Sequence, residues 1–141
     1  DRLDKHGVAL VHTIGRCTPP SASNPWIARY IFPGGYIPAM SEVVSVIERS
    51  DLVITDVEVL RHHYAETLQY WYRRFMTNID LVREIYPERF CRMWRFYLAA
   101  SEAAFRVGDQ VVFQFQLAHC GSDVPVCRDY LYRTVETTDS P

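Results

Sequence analysis

The chain of 141 residues carries a formal charge of −2, with 48% hydrophobic and 23% charged side chains, the balance of one ordinary globular domain or a piece of one. A pI near 6.2 argues against a nucleic-acid binder held mainly by phosphate contacts, which needs a basic surplus. No apolar run approaches the ~20 residues that span a bilayer, and Asp1-Arg2-Leu3-Asp4-Lys5 lacks a signal peptide's hydrophobic stretch, so any membrane contact is expected to be peripheral.

In chain order, Gly7 to Ile14 is a nearly continuous apolar, β-branched run, which suits a strand buried on both faces of a parallel sheet and places His12 near its C-terminal end. From Cys17 to Pro38 prolines and glycines recur, so regular structure should be short in this long connection. Ser41 suits a helix N-cap, with Glu42 in the first turn, Val43, Val44 and Ile47 on one face, and an end near Ser50. Leu52 to Val59 reads as a second strand. Strand, helix and strand in that order suggest a right-handed parallel crossover.

A second helix is expected from about Tyr64 to Met76, where Tyr64, Leu68, Trp71 and Phe75 share a face, with Asn78 ending it. Asp80 caps a short segment to Tyr86, and Pro87 opens a third helix with an aromatic stripe from Phe90 to Phe105 and Gly108 as its stop. The final strand is the plainest: Val111, Phe113, Phe115 and Leu117 alternate with Val112, Gln114, Gln116 and Ala118. Beyond Cys120 the chain turns polar, and Thr134 to Pro141 is expected to be disordered.

Cys17, Cys91, Cys120 and Cys127 lack metal-type spacing and read as reduced thiols, Cys91 as a core residue and a Cys120–Cys127 bridge as the minority reading. Adjacent His62 and His63 diverge on a helix, so no metal site is expected. Glu66 is expected to face solvent or to pair with Arg73 or Arg74. His12 has two readings of equal weight: a ligand-binding group at the carboxyl end of a strand, or a core histidine bonded to backbone. For Tyr64, periodicity favours a plain place in the helix stripe. In the stretch Tyr30 to Pro38, Gly34-Gly35 allows close backbone approach while Pro33 and Pro38 stiffen the flanks. Tyr30, Ile31, Phe32, Tyr36 and Ile37 then line an apolar wall, or the loop merely folds over the core.

Three segments in fixed order carry a resemblance: Val11-His12-Thr13-Ile14-Gly15, Ile31-Phe32-Pro33-Gly34-Gly35-Tyr36-Ile37-Pro38 and His63-Tyr64-Ala65-Glu66-Thr67-Leu68. With Tyr97 to Phe105, they resemble the C-terminal part of cyclopropane-fatty-acyl-phospholipid synthases over about Gly7 to Tyr130. The resemblance implies an α/β class I methyltransferase fold: residues 1–133 would form the C-terminal part of a Rossmann-like sheet, with inserted helices covering an acyl-chain pocket. It implies transfer of a methylene from S-adenosylmethionine to the double bond of an unsaturated phospholipid acyl chain, with bound bicarbonate as base. On the matching positions His12, the Ile14 N–H and Tyr64 would hold the bicarbonate, His12 and Tyr64 being catalytic, and Phe32, Gly34, Gly35 and Tyr36 would contact substrate.

The family's acidic bicarbonate ligand, its cysteine-region contact and its S-adenosylmethionine loop have no counterpart in these residues, and Gly34-Gly35 lacks the context of a nucleotide loop. The chain is therefore expected to be part of a longer enzyme, without cofactor-binding residues of its own and inactive alone. An exposed sheet edge would favour a homo-oligomer. The expected setting is cytoplasmic, peripheral at the inner membrane face. Two alternatives stand beside this reading: a related methyltransferase for another lipid or small amine, and a non-catalytic lipid-binding or dimerising module.

Overall fold

The structure is a computed structural model that describes residues 3–132; the expected disordered tail, Thr134 to Pro141, lies outside them. Three strands form one sheet: β1 (Val8–Arg16), β2 (Leu52–Leu60) and β3 (Gln110–His119), in the order β1-β3-β2. Between β1 and β2 lie α1 (Pro25–Tyr30) and α2 (Met40–Ile47), and between β2 and β3 lie α3 (His63–Thr77), α4 (Ile79–Ile85) and α5 (Glu88–Arg106). A 3-10 turn at Arg128–Leu131 follows.

β3 runs antiparallel to both neighbours, with Phe113 opposite Thr13 on one side and Val59 on the other. This corrects the expectation of a buried parallel first strand. β1 and β2 do point the same way, but β3 is inserted between them, so they share no ladder. β1 is an edge strand among the described residues, and Leu10 is 62% exposed. The physical reason is the reach of the helical cover: burial on β1 is complete only at Gly15 and Arg16.

Period-2 alternation in β3 divides the core. Val111, Phe113, Phe115 and Leu117 pack with Ile47 beneath α2, whereas Val112 packs with Ala65, Leu68, Leu98 and Phe105 beneath α3 and α5. Gly15 admits this packing, because a Cβ there would lie 2.2 Å from Cε2 of Phe113. Cys91 is fully buried, as a small core residue should be, and all four thiols are free.

Helix ends follow local chemistry. α2 starts at Met40 rather than behind a Ser41 cap, because the Glu42 carboxylate accepts the Ala39 N–H at 2.8 Å and so draws the first turn back. It stops at Ile47, short of Ser50, since the Ser50 hydroxyl donates to the Ile47 carbonyl at 2.7 Å and accepts the Leu52 N–H at 3.2 Å. Asn78 ends α3 as expected and also precedes α4, taking the capping position expected for Asp80, which instead pairs with Arg83 at 3.0 Å. At the end of α5 a Cβ on Gly108 would meet the Ala104 carbonyl at 2.5 Å, which explains the glycine there.

Candidate active site

β1 carries two of the candidate groups. His12 is the fifth of nine strand residues, exposed and not at the carboxyl end as expected, because the strand continues to Arg16. Its Nδ1 lies 3.1 Å from Nε2 of Gln114, directly opposite on β3. In the neutral ring, when that amide N–H donates to Nδ1, the imidazole proton resides on Nε2, which remains a donor. Thus the core reading of His12 is set aside: its partner is a side chain, and the ring is open to solvent.

Backbone directions locate the Ile14 N–H. The Arg16 N–H donates to the Pro38 carbonyl at 2.9 Å, away from β3, while the Cys17 N–H donates to the Asp109 carbonyl at 3.0 Å, on the β3 side. Because these directions alternate along a strand, Ile14 and His12 aim their N–H groups to the same outer edge as Arg16. That edge has no strand partner among the described residues. The Ile14 side chain packs against the α3–α5 cluster.

Tyr64 packs against that same cluster from the first turn of α3, its ring 5.1 Å from Phe105 and 6.0 Å from Trp71. Its neighbour Tyr97 is half-buried, and burial pushes the Tyr97 phenol above its ordinary pKa. The Tyr64 phenol adds to that rise, and the Ser101 hydroxyl opposes it. Tyr64 thus takes the place in the helix stripe that periodicity favours, a packed ring with a polar tip.

The expected apolar wall is split by its own turn. Phe32, Pro33, Gly34 and Gly35 form a type II turn, with proline second, Gly34 at φ 77° third, and the Gly35 N–H donating to the Phe32 carbonyl at 2.9 Å. Phe32 faces α5, its ring 6.0 Å from Tyr97. Tyr36 turns the other way and donates to the Glu42 carboxylate at 2.8 Å, which raises the Tyr36 pKa. Gly34 and Gly35 serve the turn; no strand-to-helix nucleotide loop is formed there. The loop is anchored by a residue that sequence reasoning missed: Arg16 is buried, donates to the Ile37 carbonyl at 3.1 Å and reaches the Ser21 hydroxyl.

Other polar groups stand elsewhere. Glu66 pairs with Arg106 of α5 at 2.8 Å, not with Arg73 or Arg74, and Arg106 also holds Glu102 at 2.7 Å. His62 and His63 are exposed at the start of α3, and among the described residues no three metal-ligating side chains converge. No helix among the described residues is long and apolar enough to cross a membrane.

Arg128 clamps the 3-10 turn to β2, its Nε donating to Asp56 Oδ2 at 2.8 Å and a second nitrogen reaching Oδ1. That hydrogen bond first, and the guanidinium charge next, hold the Asp56 carboxyl below its ordinary value of 3.8. A depressed carboxylate pKa stabilises the fold above the unfolded value, and that contribution is lost as pH falls through the folded one. Hence the Tm gap between the native chain and Arg128→Gln should be constant above about pH 5 and shrink toward about pH 2. A gap independent of pH across that window in thermal melts would remove Asp56 as its source.

Known proteins bear on this arrangement. The family described as mycolic acid cyclopropane synthetase matches residues 1–115. The tuberculostearic acid methyltransferase UfaA1 of Mycobacterium tuberculosis is 44% identical over 98 residues, covering 68% of this chain and 23% of the relative. The cyclopropane-fatty-acyl-phospholipid synthase of Escherichia coli K12 is 37% identical over 115 residues, covering 79% of this chain and 30% of the relative. The cyclopropane synthase MmaA2 of Mycobacterium tuberculosis superposes with a TM-score of 0.75 at 30% identity, over 82% of this chain and 45% of that one. The chain therefore spans less than half of each of these proteins. With its three strands and helical cover it has the fold of part of a class I methyltransferase, and it belongs to the mycolic acid cyclopropane synthetase family of S-adenosylmethionine-dependent lipid-modifying enzymes.

Proposed function

We propose that this chain forms the anion-holding and acyl-facing part of an S-adenosylmethionine-dependent lipid C-methyltransferase. The substrate is the double bond of an unsaturated phospholipid acyl chain, and the base is bicarbonate. The complete enzyme would work as a peripheral homo-oligomer at the inner membrane face. The observation that carries this reading is β1, where the Ile14 N–H faces the edge away from β3 and the exposed His12 ring shares the sheet face that packs against the cluster seating Tyr64. When bound, bicarbonate supplies a negative charge beside an alkyl cation and a base for the proton of the added methyl.

The residues have separable roles. When Gln114 donates to Nδ1, His12 keeps an Nε2–H donor, and the Ile14 N–H is a second donor on β1, aimed away from β3. Two donors in fixed positions suit a small planar anion. Tyr64 adds a hydroxyl on a ring fixed by Phe105 and Trp71. Phe32 and Tyr97 give an apolar, aromatic contact that favours an acyl chain over a small amine. The described residues form no nucleotide loop, and these residues alone are expected to transfer no methyl group. The test uses the complete enzyme: in buffer stripped of carbon dioxide, turnover should fall at least ~10-fold and return on adding bicarbonate. Turnover indifferent to bicarbonate would reject this assignment of the base.

A further inference from the structure

On the outer side of α5, away from the Tyr64 cluster, a groove of about 670 Å³ runs between α1 and α5. Its floor is apolar and aromatic: Trp26 meets Phe96 edge-on at 4.8 Å and Tyr30 at 5.8 Å. Its rim is basic. Arg89 and Arg92 line it from α5, where Arg89, Arg92 and Phe96 follow at i, i+3 and i+7 and so share one face. Neither arginine has a carboxylate partner among the described residues. The nearest acidic residue on the helix, Glu88, is already engaged by Arg83 at 2.9 Å.

Two unpaired guanidinium groups at the rim of an aromatic trough complement an amphiphile with an anionic head. Guanidinium matches phosphate oxygens bidentately, and tryptophan and tyrosine favour the boundary between polar heads and apolar chains. A nucleic-acid backbone would need a longer basic track than two residues on a chain of net charge −2. We propose that the α1–α5 groove is a docking site for an anionic phospholipid. Arg89 and Arg92 take the phosphate, and Trp26 and Phe96 take the first part of an acyl chain. The choice of ligand rests on the lipid reading of the function, but the site is separate from the anion cradle on β1.

The test is binding, without methyl transfer, so its failure and that of the bicarbonate assignment are distinguishable. Co-sedimentation of the protein with phosphatidylglycerol vesicles should exceed that with pure phosphatidylcholine vesicles. Arg89→Gln/Arg92→Gln should weaken the former by roughly tenfold to thirtyfold. The charge-matched variant Arg73→Gln/Arg74→Gln, on exposed positions of α3 outside the groove, should stay within about twofold. Phe96→Ala should weaken binding with the arginines intact. Equal losses in both double variants would mean diffuse charge and overturn the site, as would no loss in the groove variant. Full competition by millimolar glycerol phosphate would reassign the site to a free phosphate, and a dimer abolished by Phe96→Ala without lipid would reassign it to a second copy; either result overturns the lipid.

Discussion

Replacing Tyr64 with phenylalanine in the complete enzyme is expected to lower kcat by about 10²-fold, with KM little changed, while unfolding free energy moves by less than ~1 kcal/mol. The split follows from how the ring is held. Phe105 and Trp71 pack against the ring, and phenylalanine keeps both contacts. Only the hydroxyl is lost, and in the proposed chemistry that hydroxyl helps fix the base beside a developing cation. A mispositioned base costs rate at the chemical step more than it costs lipid binding. His12→Ala should reduce kcat similarly through loss of the proposed anion donor, and should cost little stability, since the histidine is exposed and its hydrogen bond to Gln114 is an exposed one. The measurement is steady-state methyl transfer paired with urea denaturation. A Tyr64→Phe enzyme with native kcat would mean that Tyr64 is only a packed ring.

How far the sequence foretold this site depends on the range of the interactions involved. Local patterns translated well: alternation in β3, the spacing that makes α3 and α5 amphipathic, and the Pro33-Gly34 pair that forces a turn all act within a few residues. Strand partnership did not. An apolar β-branched run such as Val8 to Ile14 has the same composition in a buried parallel strand and in an edge strand with one neighbour, and only the return of β3 between β1 and β2 decides. Glu66 shows the same limit, with local arginines passed over for Arg106, forty residues away. Gln114 was visible as a polar residue in β3, yet nothing in the sequence set it opposite His12. Arg16 lies beyond the strand end expected at Ile14, and its burial beneath the Ile37 carbonyl depends on a loop closing over it.

The stability of that whole edge should hinge on Phe113. Phe113→Ala is expected to cost ~3–5 kcal/mol, a large share of the ~5–15 kcal/mol that holds an ordinary domain. The ring is wholly buried in the central strand, 5.6 Å from the ring of Phe115 and directly over Gly15. Removing it empties the space that Gly15 leaves open, so the void lies against β1 beside Ile14 and Arg16. Urea titration should show a lower midpoint with an unchanged slope, and Phe113→Leu should lose far less. Gly15→Ala supplies the second arm of a cycle. Alone it drives a methyl group into the ring, and in the Phe113→Ala background the clash has gone, so the two costs should fall well short of adding. Additive costs would mean that the ring and the glycine do not determine each other, and that β1 is held in register by its hydrogen bonds to β3 without this contact.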